Sequence, residues 1–268
     1  MCDTFYLCIW CNMINQIFNE DCLEWMKRIP DGSIDCIITD PPFWTTACKW
    51  DSVIPFDKMW EQLKRIIKPN GAIVLFGSEP FSSALRMSNI KMYKYDWIWN
   101  KTRALGFTNA KNKPMNKHEI ISVFSDGTCA NGSKNRMPYY PQGLVPYGKV
   151  VSGIKKCKAD DSDGGHKFSR KSHKESFVQE FTNYPTQSLH FSNDGKTTHP
   201  TQKPVALIEY LIRTYTNEWE TVLDFTMGSG TTAIACINTN RNYIGFELDK
   251  WYFDIANERI AWKLQNKK

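Results

Sequence analysis

The stretch Val222-Leu223-Asp224-Phe225-Thr226-Met227-Gly228-Ser229-Gly230-Thr231-Thr232-Ala233 decides the fold. Val222–Phe225 reads as a short buried strand, and Thr231–Thr239 reads as a helix. Gly228, Gly230 and Ala233 fit G-x-G-x-x-A, whose small residues permit a tight turn and close approach of a ligand to the backbone. Tyr243–Glu247 reads as the next strand. Its last residue, Glu247, lies nineteen residues after Gly228, where nucleotide-binding βαβ units carry the acid that hydrogen-bonds ribose hydroxyls. The unit points to a ligand containing adenosine. These residues leave open whether that ligand is a dinucleotide.

Working outward, strands and helices alternate through most of the chain. Ile14–Asn19 reads as a short strand, Cys22–Ile29 as a helix and Ile34–Thr39 as a buried strand. Asp57–Ile67 has helical periodicity, with Trp60, Leu63, Ile66 and Ile67 on one face, and Lys68-Pro69-Asn70-Gly71 ends it. Ala72–Phe76 reads as a strand, Pro80–Met87 as a helix, and Tyr95–Asn100 and Glu119–Ser125 as strands. After a long irregular stretch, Pro204–Thr216 and Lys250–Gln265 read as helices, the first with proline at its start. Such alternation specifies an α/β fold, a mainly parallel sheet with helices on both faces.

With 268 residues and 41% hydrophobic content, the chain is long enough to bury a core without covalent staples. No apolar run reaches the roughly 20 residues that span a membrane. The first dozen residues lack a basic start and a small-residue cleavage site, so no signal peptide is expected. Nine scattered cysteines favour reduced thiols and a cytoplasmic location. Cys8 and Cys11 form one C-x-x-C pair, but no second pair stands at metal-ligand spacing, so no metal site is expected.

From Asp126 to Thr198 the texture changes to Gly, Ser, Asn, Lys, Pro and Tyr, with no long periodic element. A structureless stretch of this length inside a compact domain is usually functional. Residues 131–198 hold eleven Lys/Arg against six Asp/Glu, most of the chain's net +6, which suits a polyanion.

Asp40-Pro41-Pro42-Phe43 directly follows the Ile34–Thr39 strand. An acid there faces the crevice at the carboxyl ends of the strands, where open α/β sheets bind ligands. The two prolines hold the backbone extended and remove two amide donors. Carboxylate, Pro41 carbonyl and Phe43 ring together suit a planar base that carries an exocyclic amine.

His199-Pro200-Thr201-Gln202-Lys203-Pro204 precedes the next helix. Together these motifs resemble those of the DNA amino-methyltransferases that use S-adenosylmethionine. Asp40–Phe43 is similar to their D-P-P-[YF] motif, Asp224–Thr232 to their D-x-F-x-G-S-G-T-T loop, and His199–Pro204 to their H-P-x-Q-K-P segment. Phe225 and Thr226 depart slightly from the usual proline then phenylalanine. The order, catalytic motif first and cofactor loop last, resembles the circularly permuted beta group.

That resemblance implies a Rossmann-like class I methyltransferase fold with a seven-stranded sheet. The methyltransferase halves would span 13–125 and 197–268, around a target-recognition insert at 126–196, with 1–12 as an N-terminal extension. It implies site-specific methylation of duplex DNA at the N6 amine of a flipped-out adenine. The N4 amine of cytosine is the alternative, because Ser-Pro-Pro is the frequent cytosine form. An NAD-dependent oxidoreductase would explain the glycine loop but neither other motif.

By the same resemblance Asp40, Pro41, Pro42 and Phe43 are the catalytic residues. Asp21 and Cys22 would meet the cofactor's adenine and Glu247 its ribose. Gly228 and Gly230 would admit its methionine moiety, and Thr201 and Lys203 would fix its carboxylate. Asp40, Phe76, Gly77, Ser78, Asp224, Phe225, Ser229, Thr231 and Thr232 would complete the pocket. DNA phosphates are expected on Lys134, Arg136, Lys155, Lys156, Lys158, Arg170, Lys171 and Lys174. Apart from the resemblance, Trp44 and Lys49-Trp50-Asp51 read as a loop that closes over the flipped base or helps displace it, with local packing of tryptophan as the alternative, and Trp97 and Trp99 read as core. A homodimer is compatible with the family. The sequence is silent on a cognate restriction endonuclease.

Overall fold

The computed structural model describes residues 12–43, 53–152, 176–193 and 202–266. Cys8 and Cys11 lie outside them. In chain order the elements are β1 (Gln16–Phe18), α1 (Cys22–Met26), β2 (Ile34–Thr39), α2 (Phe56–Ile66), β3 (Ile67–Gly77), α3 (Phe81–Ser88), β4 (Tyr93–Leu105) and β5 (Asn116–Phe124). They continue with β6 (Val145–Ser152), β7 (Ser176–Thr182), β8 (Ser188–His190), α4 (Val205–Tyr215), β9 (Thr221–Asp224), α5 (Thr231–Thr239), β10 (Asn242–Phe246) and α6 (Lys250–Gln265).

Side chains of the central strands alternate between two apolar layers, as the two-residue period of a strand requires. Cys36, Ile38, Val74 and Phe76 face one layer, with Leu207 and Leu211 of α4, Ala233 and Ile237 of α5, and Ala256 and Ile260 of α6. Ile37, Ile73 and Leu75 face the other, with Met59, Trp60, Leu63 and Ile66 of α2 and Phe81 and Leu85 of α3. The α2 set repeats every three or four residues and forms one stripe. Each large apolar side chain buried this way contributes about 1.5–3 kcal/mol before the entropy of ordering it is charged.

The sheet has eight strands in the order β1-β10-β9-β2-β3-β5-β4-β8. From β1 to β3 all neighbours are parallel. Strand β5 runs antiparallel to both β3 and β4, and β8 is parallel to β4. The carboxyl ends of β2, β9 and β10 therefore lie on one edge, together with the amino end of the reversed β5.

Two details differ from the sequence reading. The expected seven strands gain β8, which at three residues is too short to show periodicity. Lys68–Gly71 lies inside β3, where the register with β2 slips between Ile34 and Cys36 and Asn70 takes a left-handed φ of 65°.

Among the described residues, those up to Tyr140 and from Gln187 onward form one compact unit, and those between Pro141 and Thr186 form a second. The second unit is narrower than the 126–196 segment marked by composition. It carries an antiparallel pair, β6 with β7, inside a stretch that shows no sequence periodicity. Among the described residues, no helix is long and apolar enough to cross a membrane.

Gly230 enters α5 with φ +83°, and a Cβ there would stand 3.1 Å from Ala256 Cβ and 3.2 Å from its Cα. Gly230→Ala combines a left-handed non-glycine residue with pressure on α6, so it should destabilise the fold by about 1–3 kcal/mol. Urea unfolding should show a lower midpoint at constant m-value; an unchanged midpoint would contradict the assigned packing.

Candidate active site

Thr39, Asp40 and Asp224 are brought to adjacent positions because β2 and β9 are parallel neighbours. The Asp224 carboxylate is 5% exposed and accepts from the Thr39 hydroxyl, from the Thr226 amide at 3.1 Å and from the Thr232 hydroxyl at 2.6 Å. The Thr226 hydroxyl donates to the Asp40 carbonyl at 3.0 Å. One buried acid thus ties the end of β2 to the glycine loop and to the first turn of α5. Burial raises the Asp224 carboxyl above the ordinary range, and its three donors oppose that.

Glu247, just after β10, accepts from the Gly228 amide at 2.7 Å and from the Asp249 amide at 2.8 Å, one bond per oxygen. A carboxylate has about four lone-pair sites, so each oxygen retains capacity for a hydroxyl donor. Burial raises its carboxyl as well. Asp21 caps α1, its Oδ1 accepting from the amides of Leu23 at 2.8 Å and Glu24 at 3.3 Å. Beside it the Cys22 thiol is pushed up to about 12, first by burial and then by Asp21, and is a neutral apolar wall.

Arg259 of α6 holds the loop from outside, donating to the Ser229 carbonyl and to its Oγ at 2.8 Å. Nothing in the glycine motif points to Arg259. A helical position that faces the loop is its only sequence trace.

A cavity of about 720 Å³ opens beside these groups, within the usual span of small-molecule sites. Its walls include Asp21, Cys22, Asp40, Pro41, Pro42, Phe43, Phe76, Ser78, Lys203, Asp224, Phe225, Gly228, Ser229, Thr231, Thr232 and Glu247. Gly77 and Gly230 are not on them. Gly77 is small because a Cβ would meet Ser82 Oγ at 2.7 Å and the Phe81 ring at 3.1 Å, so α3 sets that requirement. Phe43 is half-buried and packs against Phe81, with ring centroids 5.5 Å apart.

Asp40 and Lys203 meet inside this cavity. Lys203 Nζ is 2.5 Å from Asp40 Oδ2 and 3.2 Å from Glu119 Oε2, and the lysine is 7% exposed. The resemblance assigns Lys203 to a cofactor carboxylate. In this structure its ammonium engages two protein carboxylates, which would otherwise lack a counter-charge. Burial raises the Asp40 carboxyl to about 6; Lys203 opposes the rise, while Glu119 and Asp224 add to it. For Glu119 burial acts upward, but Lys203 and Lys101 outweigh it and hold the carboxyl below the ordinary range. Asp40 Oδ1 is buried and has no hydrogen-bond partner among the described residues.

Trp97 and Trp99 are each 2% exposed, as a core reading requires, and Trp99 also touches the cavity. Lys134 and Arg136 are exposed. Thr201, Lys155, Lys156, Lys158, Arg170, Lys171, Lys174, Trp44 and Lys49-Trp50-Asp51 lie outside the described residues.

The profile of the DNA methylase family N6_N4_Mtase matches residues 34–258. The type II methyltransferase M1.MboII of Moraxella bovis is 30% identical over 260 residues, covering 91% of this chain and 95% of that protein. The crystal structure of an M1.HpyAVI–SAM complex superposes with a TM-score of 0.59 at 25% identity, covering 91% of this chain and 98% of that one. The PvuII DNA methyltransferase, described as cytosine-N4-specific, shares the fold with a TM-score of 0.61 at 17% identity, covering 93% and 91%. Motif order, sheet and cavity agree with these similarities, and the chain belongs to the N6_N4 family of DNA methylases.

Proposed function

We propose that this chain methylates the exocyclic N6 amine of an adenine flipped out of duplex DNA, with Asp40 as the residue that receives the amine. The observation that carries this reading is the Asp40 carboxylate. One oxygen is fixed by Lys203, and the other is buried at the wall of the cavity with no hydrogen-bond partner among the described residues. A buried acceptor left unpaired costs roughly 1–3 kcal/mol, a cost that an incoming N–H donor removes. S-adenosylmethionine, when bound, would supply a sulfonium methyl group: the C–S electron pair would leave on sulfur as the N–C bond forms, and the methylated nitrogen would release its extra proton to solvent.

The chain's own residues deal with the weak nucleophile. An exocyclic amine has its lone pair delocalised into the ring. Asp40 Oδ1 accepts one N–H and the Pro41 carbonyl the other, which favours a pyramidal nitrogen and stabilises the positive charge growing there. Phe43, set by its contact with Phe81, offers a face for the base to stack on, worth roughly 1–3 kcal/mol against the cost of flipping.

Glu247, with spare lone pairs, suits the cofactor's ribose, and Asp21 and Cys22 suit its adenine. Gly228 and Ser229 leave room at the loop. Lys134 and Arg136, with the lysines and arginines of the 153–175 segment, are proposed to hold phosphates while neighbouring side chains read base edges. The target-recognition role is assigned to the Pro141–Thr186 unit and its flanks. A DNA substrate supports a cytoplasmic location, in a bacterial or phage-infected cell. The adenine assignment over cytosine rests on aspartate, rather than serine, before the two prolines.

Mass spectrometry of nucleosides from duplex DNA incubated with the chain and S-adenosylmethionine should show N6-methyladenine. N4-methylcytosine would transfer the reading to cytosine, and no methylated base would end it. Asp40→Ala should lower kcat/KM by about 10²–10³-fold while cofactor affinity is retained. Ionised Asp40 is the stronger acceptor and opposes the positive charge growing on nitrogen, so wild-type kcat/KM should fall with acidity below about pH 6. A flat acid limb would contradict its role.

A further inference from the structure

One buried charge at the cavity belongs to none of the motifs. Glu119 lies near the amino end of β5, which the antiparallel direction of that strand brings to the same edge as Asp40. It pairs across the sheet with Trp99 of β4. Four groups alternate in sign: Lys101, Glu119, Lys203 and Asp40. Lys101 Nζ lies 2.5 Å from Glu119 Oε1, and Lys203 Nζ lies 3.2 Å from Glu119 Oε2 and 2.5 Å from Asp40 Oδ2. The Phe76 ring closes over the same ammonium, with its centroid 5.4 Å from Nζ.

An ammonium is a compact point charge with rotatable donors. Facing a single carboxylate in a dry site, it gains most by closing on both oxygens. Here a second carboxylate competes for it by charge, its Oε2 at 3.2 Å in an ion pair without a hydrogen bond, and Asp40 Oδ1 stays without a hydrogen-bond partner among the described residues. We infer that Glu119 is a positioning residue for methyl transfer: it holds Lys203 to one oxygen of Asp40 and so keeps the other oxygen open for the target amine. The inference rests on the reading of Asp40 as the amine's acceptor. Lys101 fixes Glu119 in turn. Among the described residues, the charged groups that act on Asp40 are Lys203, Glu119 and Asp224, so removal of either of the first two shifts its titration, in opposite directions.

The test compares the full-length wild type with Glu119→Gln, Glu119→Asp and Lys203→Met. All are assayed on duplex DNA with S-adenosylmethionine, with a thermal melt and cofactor affinity for each. Glu119→Gln should lower kcat about tenfold or more, with KM for DNA and cofactor affinity within about threefold of wild type. Its acid limb should move to lower pH, because Lys203 closes on Asp40 and the repulsion from Glu119 is gone. Lys203→Met should move the acid limb to higher pH. Glu119→Asp keeps the charge and should recover most of kcat.

Glu119→Gln with kcat within about twofold of wild type would overturn the inference. So would acid limbs that shift the same way in both neutralising variants. Should Glu119→Gln fail to fold, Glu119→Asp decides, and a folded Glu119→Asp as impaired as Lys203→Met would mark a packing role and overturn it. An inactive wild type would instead count against the proposed function.

Discussion

The site depends on the junction between the ends of β2 and β9, closed by the buried Asp224 carboxylate. Thr39 and Asp224 are 185 positions apart in the chain, yet they share a hydrogen bond because the two strands are parallel neighbours. The same carboxylate receives Thr232 and the Thr226 amide, and the Thr226 hydroxyl reaches the Asp40 carbonyl. Burial of an acid is costly, and three donors offset that cost. What the arrangement secures is geometry, because the glycine loop and the Asp40–Phe43 turn cannot shift independently. Thr226, a departure from the family's usual residue, supplies the hydroxyl that joins them.

A second constraint is charge. Lys203 and Glu119 are buried and Asp40 is half-buried with its Oδ1 enclosed, and the three charges offset one another. Lone ions of this kind would neutralise or stay in water. The reversed β5 brings Glu119 to the edge where the parallel strands end, so the sheet's single reversal has an electrostatic consequence at the site. Lys203, which follows directly from the H-P-x-Q-K-P segment, acts here on the carboxylate of the other motif.

Much of this was legible in the chain. The strand Ile34–Thr39 and the helices Thr231–Thr239 and Lys250–Gln265 have the bounds their periodicity indicates. Their apolar residues face two layers, and nothing local competes with that pattern. Glu247 could be placed by its spacing from the glycine loop, and Asp21 only through the family resemblance. Glu119 and Lys101 could not, since a charged residue in a strand has no signature until register with Trp99 and the strand's direction are known. Arg259 was hidden because its reach to Ser229 depends on how α6 packs against the glycine loop. The β6–β7 pair was hidden by Pro146 and Gly148 within β6, which break alternation. Gly77 looked like part of the pocket, but its size is set by Ser82 and Phe81.

The most direct measurement is a crystal structure of the chain with duplex DNA and a non-reactive analogue of S-adenosylmethionine. The account predicts the exocyclic nitrogen of a flipped adenine within hydrogen-bond distance of Asp40 Oδ1 and of the Pro41 carbonyl. Lys203 should still be on Oδ2 and Glu119 on Lys203. An ammonium bridging both Asp40 oxygens, or a target amine bound away from Asp40, would contradict it.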